Sequence, residues 1–210
     1  MAWREESASH PPASHADERY WARPLPGFGD PDASLVIVGL APAAHGGNRT
    51  GRMFTGDRSG DFLFAALHRA GYANQALSHS ATDGLELSGA WVTAAVRCAP
   101  PENKPTPTER EACAGFLSAE LRQLSGARVL LALGAFAYEA LWRIPEATGE
   151  LGRRRERFAH GLEVALPPAG TAPVRKLLCS YHPSQRNVFT GLLTAEMFDA
   201  VLVRARELAT

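Results

Sequence analysis

The chain has no apolar run approaching the roughly 20 residues of a membrane span, and no leader-like succession of charged, apolar and small residues. It therefore reads as a cytoplasmic protein. Cysteine is scarce: Cys98, Cys113 and Cys179 are an odd count, widely spaced, and do not suggest a disulfide framework. Net charge is absent as well, with 22 Lys and Arg against 22 Asp and Glu, so any polyanionic partner must be held by locally clustered cations. Internal repeats and low-complexity tracts are missing. So are several motif chemistries. The P-loop pattern needs a Lys-Ser/Thr pair after its last glycine, the dinucleotide fingerprint needs tight Gly-x-Gly-x-x-Gly spacing, and a nucleophile elbow needs Gly-x-Ser-x-Gly. Histidines are scattered rather than placed at the helical spacing of a hydrolytic metal site. What remains is an ordinary globular composition, 45% apolar and 21% charged over 210 residues, enough for one domain with a full core.

Residues 1–33 read as an irregular, polar N-terminal segment, although Trp3-Arg4-Glu5-Glu6 looks like the middle of a helix. Leu35 to Val38 is a β-branched run suited to a strand buried on both faces. A glycine-punctuated loop follows, and then a helix from Ser59 or Gly60 with Phe62, Leu63, Ala66, Leu67 and Ala70 on one face, stopping at Gly71. Ala90–Val96 reads as a second strand. The Arg97–Pro107 segment holds four prolines and is expected to be a stiff extended loop. Thr106 or Thr108 then caps a helix carrying Phe116, Leu117, Leu121 and Leu124. Val129–Leu133 is a third strand, Gly134 opens another helix, and Leu162–Leu166 suits an edge strand or hairpin. Lys176–Tyr181 is the next strand, and a last amphipathic helix covers about Thr194 to Leu208. This alternation predicts an α/β fold, a mainly parallel four-stranded sheet with helices on both faces, in a single domain over 1–210. The loops after Leu40, Val96 and Tyr181 should meet at the carboxyl edge of that sheet.

Those loops carry the unusual residues. The first, Gly39 to Asp57, has five glycines and offers His45, Asn48, Arg49, Arg52, Phe54 and Asp57. Together with Asn103 and His182 it supplies a carboxylate, an amide, an imidazole and a ring for stacking, set among arginines. That inventory fits removal of a base from a nucleotide. The glycosidic bond breaks through an oxocarbenium-like sugar, which a carboxylate such as Asp57 can stabilise while it orients a water. A donor such as His182 can neutralise charge on the departing base, and an aromatic face can hold the base once flipped. Flanking phosphates would be gripped by Arg49, Arg52, Arg58, Lys104 and Arg186, with His45, Gly46, Asn48, Ser184 and Asn187 from the same loops.

Three segments resemble the type-5 uracil-DNA glycosylases of bacteria and archaea, also called type B: Gly39–Gly60, Cys98–Pro107 and His182–Gly191. The similarity runs from about Tyr20 to the C-terminus. It implies a three-layer α/β/α fold, hydrolysis of the N-glycosidic bond of deaminated bases in double- or single-stranded DNA, a monomer, and a 4Fe–4S cluster. By the resemblance, Phe54 is the ring that stacks on the flipped base, His182 sits near the uracil carbonyl, and Asp57 and Asn103 position the attacking water. Ala41 and Ala43 stand where other glycosylases carry a polar catalytic residue, which implies a less discriminating base pocket that also takes hypoxanthine and xanthine. Cys98 and Cys113 match two of the four cluster cysteines. The first pair is missing, and Met1-Ala-Trp-Arg-Glu5 matches the point just after it, so the N-terminus is expected to be truncated upstream.

Plainer readings use the same residues. Asp57 can equally be the N-cap of the helix after Ser59, Phe54 a core residue, and His182 a structural hydrogen bonder before Pro183. The whole chain can also be read as a damaged-DNA-binding protein without catalysis, or as an enzyme acting on free nucleotides.

Overall fold

A computed structural model describes residues 2–145, 155–167 and 175–210. Six strands form one sheet: β1 (Phe28–Gly29), β2 (Leu35–Gly39), β3 (Ala90–Ala94), β4 (Val129–Leu133), β5 (Glu163–Ala165) and β6 (Lys176–Ser180), in the order β1-β3-β2-β4-β6-β5. The central four pair in parallel, with Ile37 opposite both Val92 and Leu131, and Leu131 opposite Leu178. The expected four-stranded sheet is thus extended by a short antiparallel strand at each edge. β5 was legible as an edge strand. β1 was not, because two residues are too few to show a pattern.

Seven helices complete the fold among the described residues: α1 (Ala2–Ser9), α2 (Gly47–Thr50), α3 (Arg58–Arg69), α4 (Pro107–Gln123), α5 (Ala135–Trp142), α6 (Gln185–Phe189) and α7 (Ala195–Ala209). Successive side chains of β2 point to opposite faces. Leu35 and Ile37 therefore pack with Leu63, Phe64 and Leu67 of α3 and Phe198, Val201 and Leu202 of α7. Val36 and Val38 pack on the other side with Leu117 and Leu121 of α4 and Tyr138 and Leu141 of α5. This is a three-layer α/β/α sandwich. Each of these apolar side chains contributes about 1.5–3 kcal/mol by leaving water.

The first 33 residues are more ordered than their composition suggests. They hold α1, a turn of 3-10 helix at Ala13–His15, and β1. The strap between them is bonded to the opening loop and to the segment after β3: Trp21 N–H donates to the Arg49 carbonyl (3.0 Å), Ala22 N–H to the Asn48 carbonyl (3.1 Å) and Leu25 N–H to the Arg97 carbonyl (2.8 Å). A capping box on Thr106 and Glu109 starts α4 sharply after the proline loop. Because the four central strands are parallel and in register, the loops after β2, β3 and β6 all leave from one edge.

Candidate active site

At that edge lies a cleft of about 1040 Å³. Its walls include Ala41, Ala43, Phe54, Asp57, Asn103 and His182, so that all three loops singled out in the sequence contribute to it. The first loop folds tightly. After α2 it turns through Gly51 (φ 84°), reaches Phe54 in the left-handed region (φ 53°) and passes Gly56 (φ 79°) before Asp57 caps α3. A phenylalanine in that region costs on the order of 1–3 kcal/mol, so its surroundings must impose it. Two glycines make room. A Cβ on Gly39 would lie 2.6 Å from the Phe54 ring, and one on Gly60 would collide with the Phe54 carbonyl. The Phe54 ring is thereby laid over the end of β2, facing His182 at 6.0 Å between centroids and 28° between planes.

His182 follows β6 and is braced from behind, where Asn187 Nδ2 donates to its carbonyl (2.9 Å). Withdrawal from water pushes its imidazole down to about 4, so the ring is neutral at physiological pH and offers one N–H donor. Asp57 caps α3 and also faces the cleft. Its Oδ1 accepts from the Gly60 N–H at 3.0 Å as the α3 cap, and the same carboxylate lines the cleft. Burial raises its pKa, only partly offset by the N–H groups of Gly60 and Ser59. A carboxylate in that state accepts a proton more readily than an exposed one. Asn103 reaches the rim in a left-handed turn (φ 56°), a conformation that asparagine tolerates better than most residues.

The residues expected to touch DNA separate into two groups. Arg58, Ser184 and Arg186 line the cleft, and Lys104 is exposed near Asn103, beside Glu102. The others are occupied. Arg52 is only 4% exposed and is paired with Asp83, so it cannot reach a phosphate without leaving that partner. Asn48 is fully buried and donates to the carbonyls of Arg4 (3.0 Å) and Ala44 (3.3 Å). Arg49 is paired with Glu18 and bonded to the His45 carbonyl, while His45 itself meets the Tyr20 hydroxyl at 2.9 Å. Gly46 is buried against Asp57, where a Cβ would collide with Oδ2. Asn187 holds His182 rather than facing the cleft. Apart from His45, whose side chain stays exposed, these groups build the loop rather than line the cleft.

Several lining residues were not singled out in the sequence, namely Leu40, Pro42, Met53, Ser59, Gln185 and Phe189. Phe189 is the conspicuous one, because it stands 89% exposed at the cleft. An apolar ring in the His182–Gly191 segment was visible in the sequence, but its exposure was not.

Cys98 and Cys113 are both buried. Arg4 Nη1 donates to Cys98 Sγ at 3.0 Å. The Cys113 thiol is raised chiefly by burial, with the Arg97 N–H pulling the other way and a charge on Cys98 adding to the rise. The two thiols are thus neighbours, as the resemblance implied. Cys179 lies in β6 within the core, pushed up to about 12 by burial. A 4Fe–4S cluster takes four thiolates. Among the described residues no group of three or more metal-binding side chains is assembled, so the residues present do not complete such a site.

Residues 26–206 match the model of the uracil DNA glycosylase superfamily. Over 210 residues the chain is 51% identical to a type-5 uracil-DNA glycosylase of Mycobacterium tuberculosis, covering all of this chain and 75% of that protein. Against the type-5 enzyme of Thermus thermophilus it is 50% identical over 209 residues, all of this chain and 90% of that protein. The chain belongs to the type-5 uracil-DNA glycosylase family. A type-4 uracil-DNA glycosylase of Pyrobaculum aerophilum is more distant, 30% identical over 168 residues. In this type-5 member the loops after β2, β3 and β6 build one cleft, where an aromatic ring, a carboxylate and an imidazole meet. No helix among the described residues is long and apolar enough to cross a membrane.

The depressed imidazole has a consequence for stability. An unfolded histidine titrates near 6.5, so the folded chain resists protonation at His182 between about 6.5 and 4. The contribution is therefore complete above about pH 6.5 and is lost as the pH falls through 4. Thermal melts at pH 7 and pH 4.5 should show His182→Gln losing less stability on acidification than the parent chain. An equal or greater loss in the variant would contradict a buried, neutral His182.

Proposed function

We propose that this protein excises uracil from DNA by flipping the nucleotide into the cleft and hydrolysing its N-glycosidic bond, the first step of base excision repair. The observation that carries this reading is the meeting of Phe54, Asp57 and His182 in one cleft at the carboxyl edge of the sheet, in a chain of the type-5 family. Phe54 offers its face to the flipped base. The neutral His182 donates an N–H to a base carbonyl oxygen, where negative charge gathers as the bond lengthens. Asp57, with its raised proton affinity, stabilises the cationic sugar, orients a water and takes that water's proton as oxygen bonds to the anomeric carbon. The base leaves as an anion and is protonated afterwards. Asn103 at the rim holds the same water. Arg58, Ser184 and Arg186 on the cleft wall, with the exposed Lys104 near Asn103, are the groups that grip the flanking phosphates.

The width of the cleft and the methyl side chains of Ala41 and Ala43 favour a tolerant base pocket. No polar side chain at those two positions selects a single edge, so hypoxanthine and xanthine should be excised as well as uracil. Phe189 suits the role of a wedge. An apolar ring that remains 89% exposed beside the cleft can fill the gap left in the stack by the extruded base.

The reading is tested with a labelled duplex carrying a single uracil, or a single hypoxanthine, in which the protein should create an abasic site. Binding without abasic product would contradict the enzymatic reading. Asp57→Asn separates the two functions of that residue, since asparagine also caps a helix well. The variant should keep the parent's melting temperature within a few degrees and lose at least about tenfold in single-turnover rate. An unchanged rate would take Asp57 out of the chemistry. Phe189→Ala should slow excision from duplex DNA more than from single-stranded DNA, because only the duplex has a stack to fill; equal effects on both substrates would dismiss the wedge.

A further inference from the structure

Arg52 was expected at the DNA and lies instead beneath the loop that carries Phe54. Its Nη2 donates to both oxygens of Asp83 (2.8 and 2.7 Å) and to Ser78 Oγ (2.8 Å), its Nε donates to Thr55 Oγ1 (3.0 Å), and its guanidinium lies 4.9 Å over the Phe28 ring. Thr55 and Ser78 share a further hydrogen bond at 2.6 Å, and the Gly56 N–H donates to the Ser78 carbonyl at 3.2 Å. Arg52, Thr55 and Ser78 are all buried. Asp83 in turn accepts from the backbone N–H groups of His79, Ser80 and Leu85, which fix its own loop. Burial by itself would raise the Asp83 carboxyl, but the guanidinium and the three N–H groups prevail and hold it near 2.

This network spans Phe54 on both sides. Arg52 precedes the Met53–Phe54 turn, Thr55 follows it, and both are tied to one loop at Ser78 and Asp83. A left-handed phenylalanine persists where its surroundings over-determine the backbone, and here the two flanking residues are fixed from below.

We propose that Asp83 is a positioning residue for base excision, holding Arg52 and, through Thr55 and Ser78, the turn that presents the Phe54 ring to the flipped base. The inference rests on the stacking role given to Phe54 above. Asp83 does not touch the substrate. Its effect on rate should therefore vanish once the ring that it positions is removed.

The test measures single-turnover uracil excision in the parent chain, Asp83→Asn, Phe54→Ala and the double variant. Asp83→Asn should slow excision about tenfold in the parent and less than about twofold in the Phe54→Ala background, because misplacement matters only while there is a ring to misplace. A role confined to stability would lower the melting temperature equally in both backgrounds and give equal rate effects, which overturns the proposal. Phe54→Ala at the parental rate removes the stacking role and the inference with it. Phe54→Ala slowed, with Asp83→Asn at the parental rate, overturns the inference alone. Loss of Asp83 leaves a buried guanidinium uncompensated and can prevent folding. Ser78→Ala keeps the ion pair and removes only a hydroxyl, and it should show the same background dependence with a loss of about threefold in the parent. Ser78→Ala at the parental rate also counts against the network.

Discussion

The in-register parallel pairing of β3, β2, β4 and β6 is the constraint on which the rest of the molecule depends. Parallel strands leave every connection to cross back over a face, so α3 and α7 cover one side and α4 and α5 the other. The same geometry sends the loops after β2, β3 and β6 off one edge. Phe54 and Asp57, Asn103, and His182 are far apart in sequence and reach one cleft only because those strand ends stand side by side. The short antiparallel strands at the flanks close the sheet without adding to the site.

Within the cleft, chemistry depends on groups placed at some energetic cost. Phe54 sits in a backbone region that phenylalanine avoids, and Asp57 and His182 are both partly withdrawn from water in ways that disfavour their charged forms. Each is offset nearby. Gly39 and Gly60 give Phe54 its space, the Gly60 N–H supports Asp57, and Asn187 holds the backbone of His182. The two titrating groups of the cleft are shifted in opposite directions, a carboxylate with raised proton affinity and an imidazole that stays neutral. Polar networks further out hold the loop as a unit. The N-terminal strap joins Glu18 to Arg49 and Tyr20 to His45, and Asp83 anchors Arg52.

Much of the fold was legible because its signals are local. Buried strands such as Val129–Leu133 are continuous apolar runs, α3 shows a helical period and ends at Gly71, and the capping box of α4 is written in four consecutive residues. Arg52 was misread for the opposite reason. Its partner lies 31 residues away in a stretch with no marked pattern, so an arginine in a glycine-rich loop looked like a phosphate ligand. Asn48 was misread likewise, since its main partner is the carbonyl of Arg4, 44 residues earlier. Phe189 could be seen as an aromatic residue, but whether a ring faces core or solvent depends on what packs against it.

By itself the sequence determined the α/β alternation, the three loops that matter and the kinds of group they carry, because periodicity, turn chemistry and side-chain inventory act over a few neighbouring residues. It also specified Asp57 as a cap and as a carboxylate of the site without deciding between them. Tertiary structure made Asp57 the cap of α3 with its carboxylate on the cleft wall, and it decided which cations face the cleft and which are spent inside the protein. It also brought Cys98 beside Cys113 and left Cys179 in the core. Those outcomes depend on burial and on long-range pairing, and neither exists until the chain has folded.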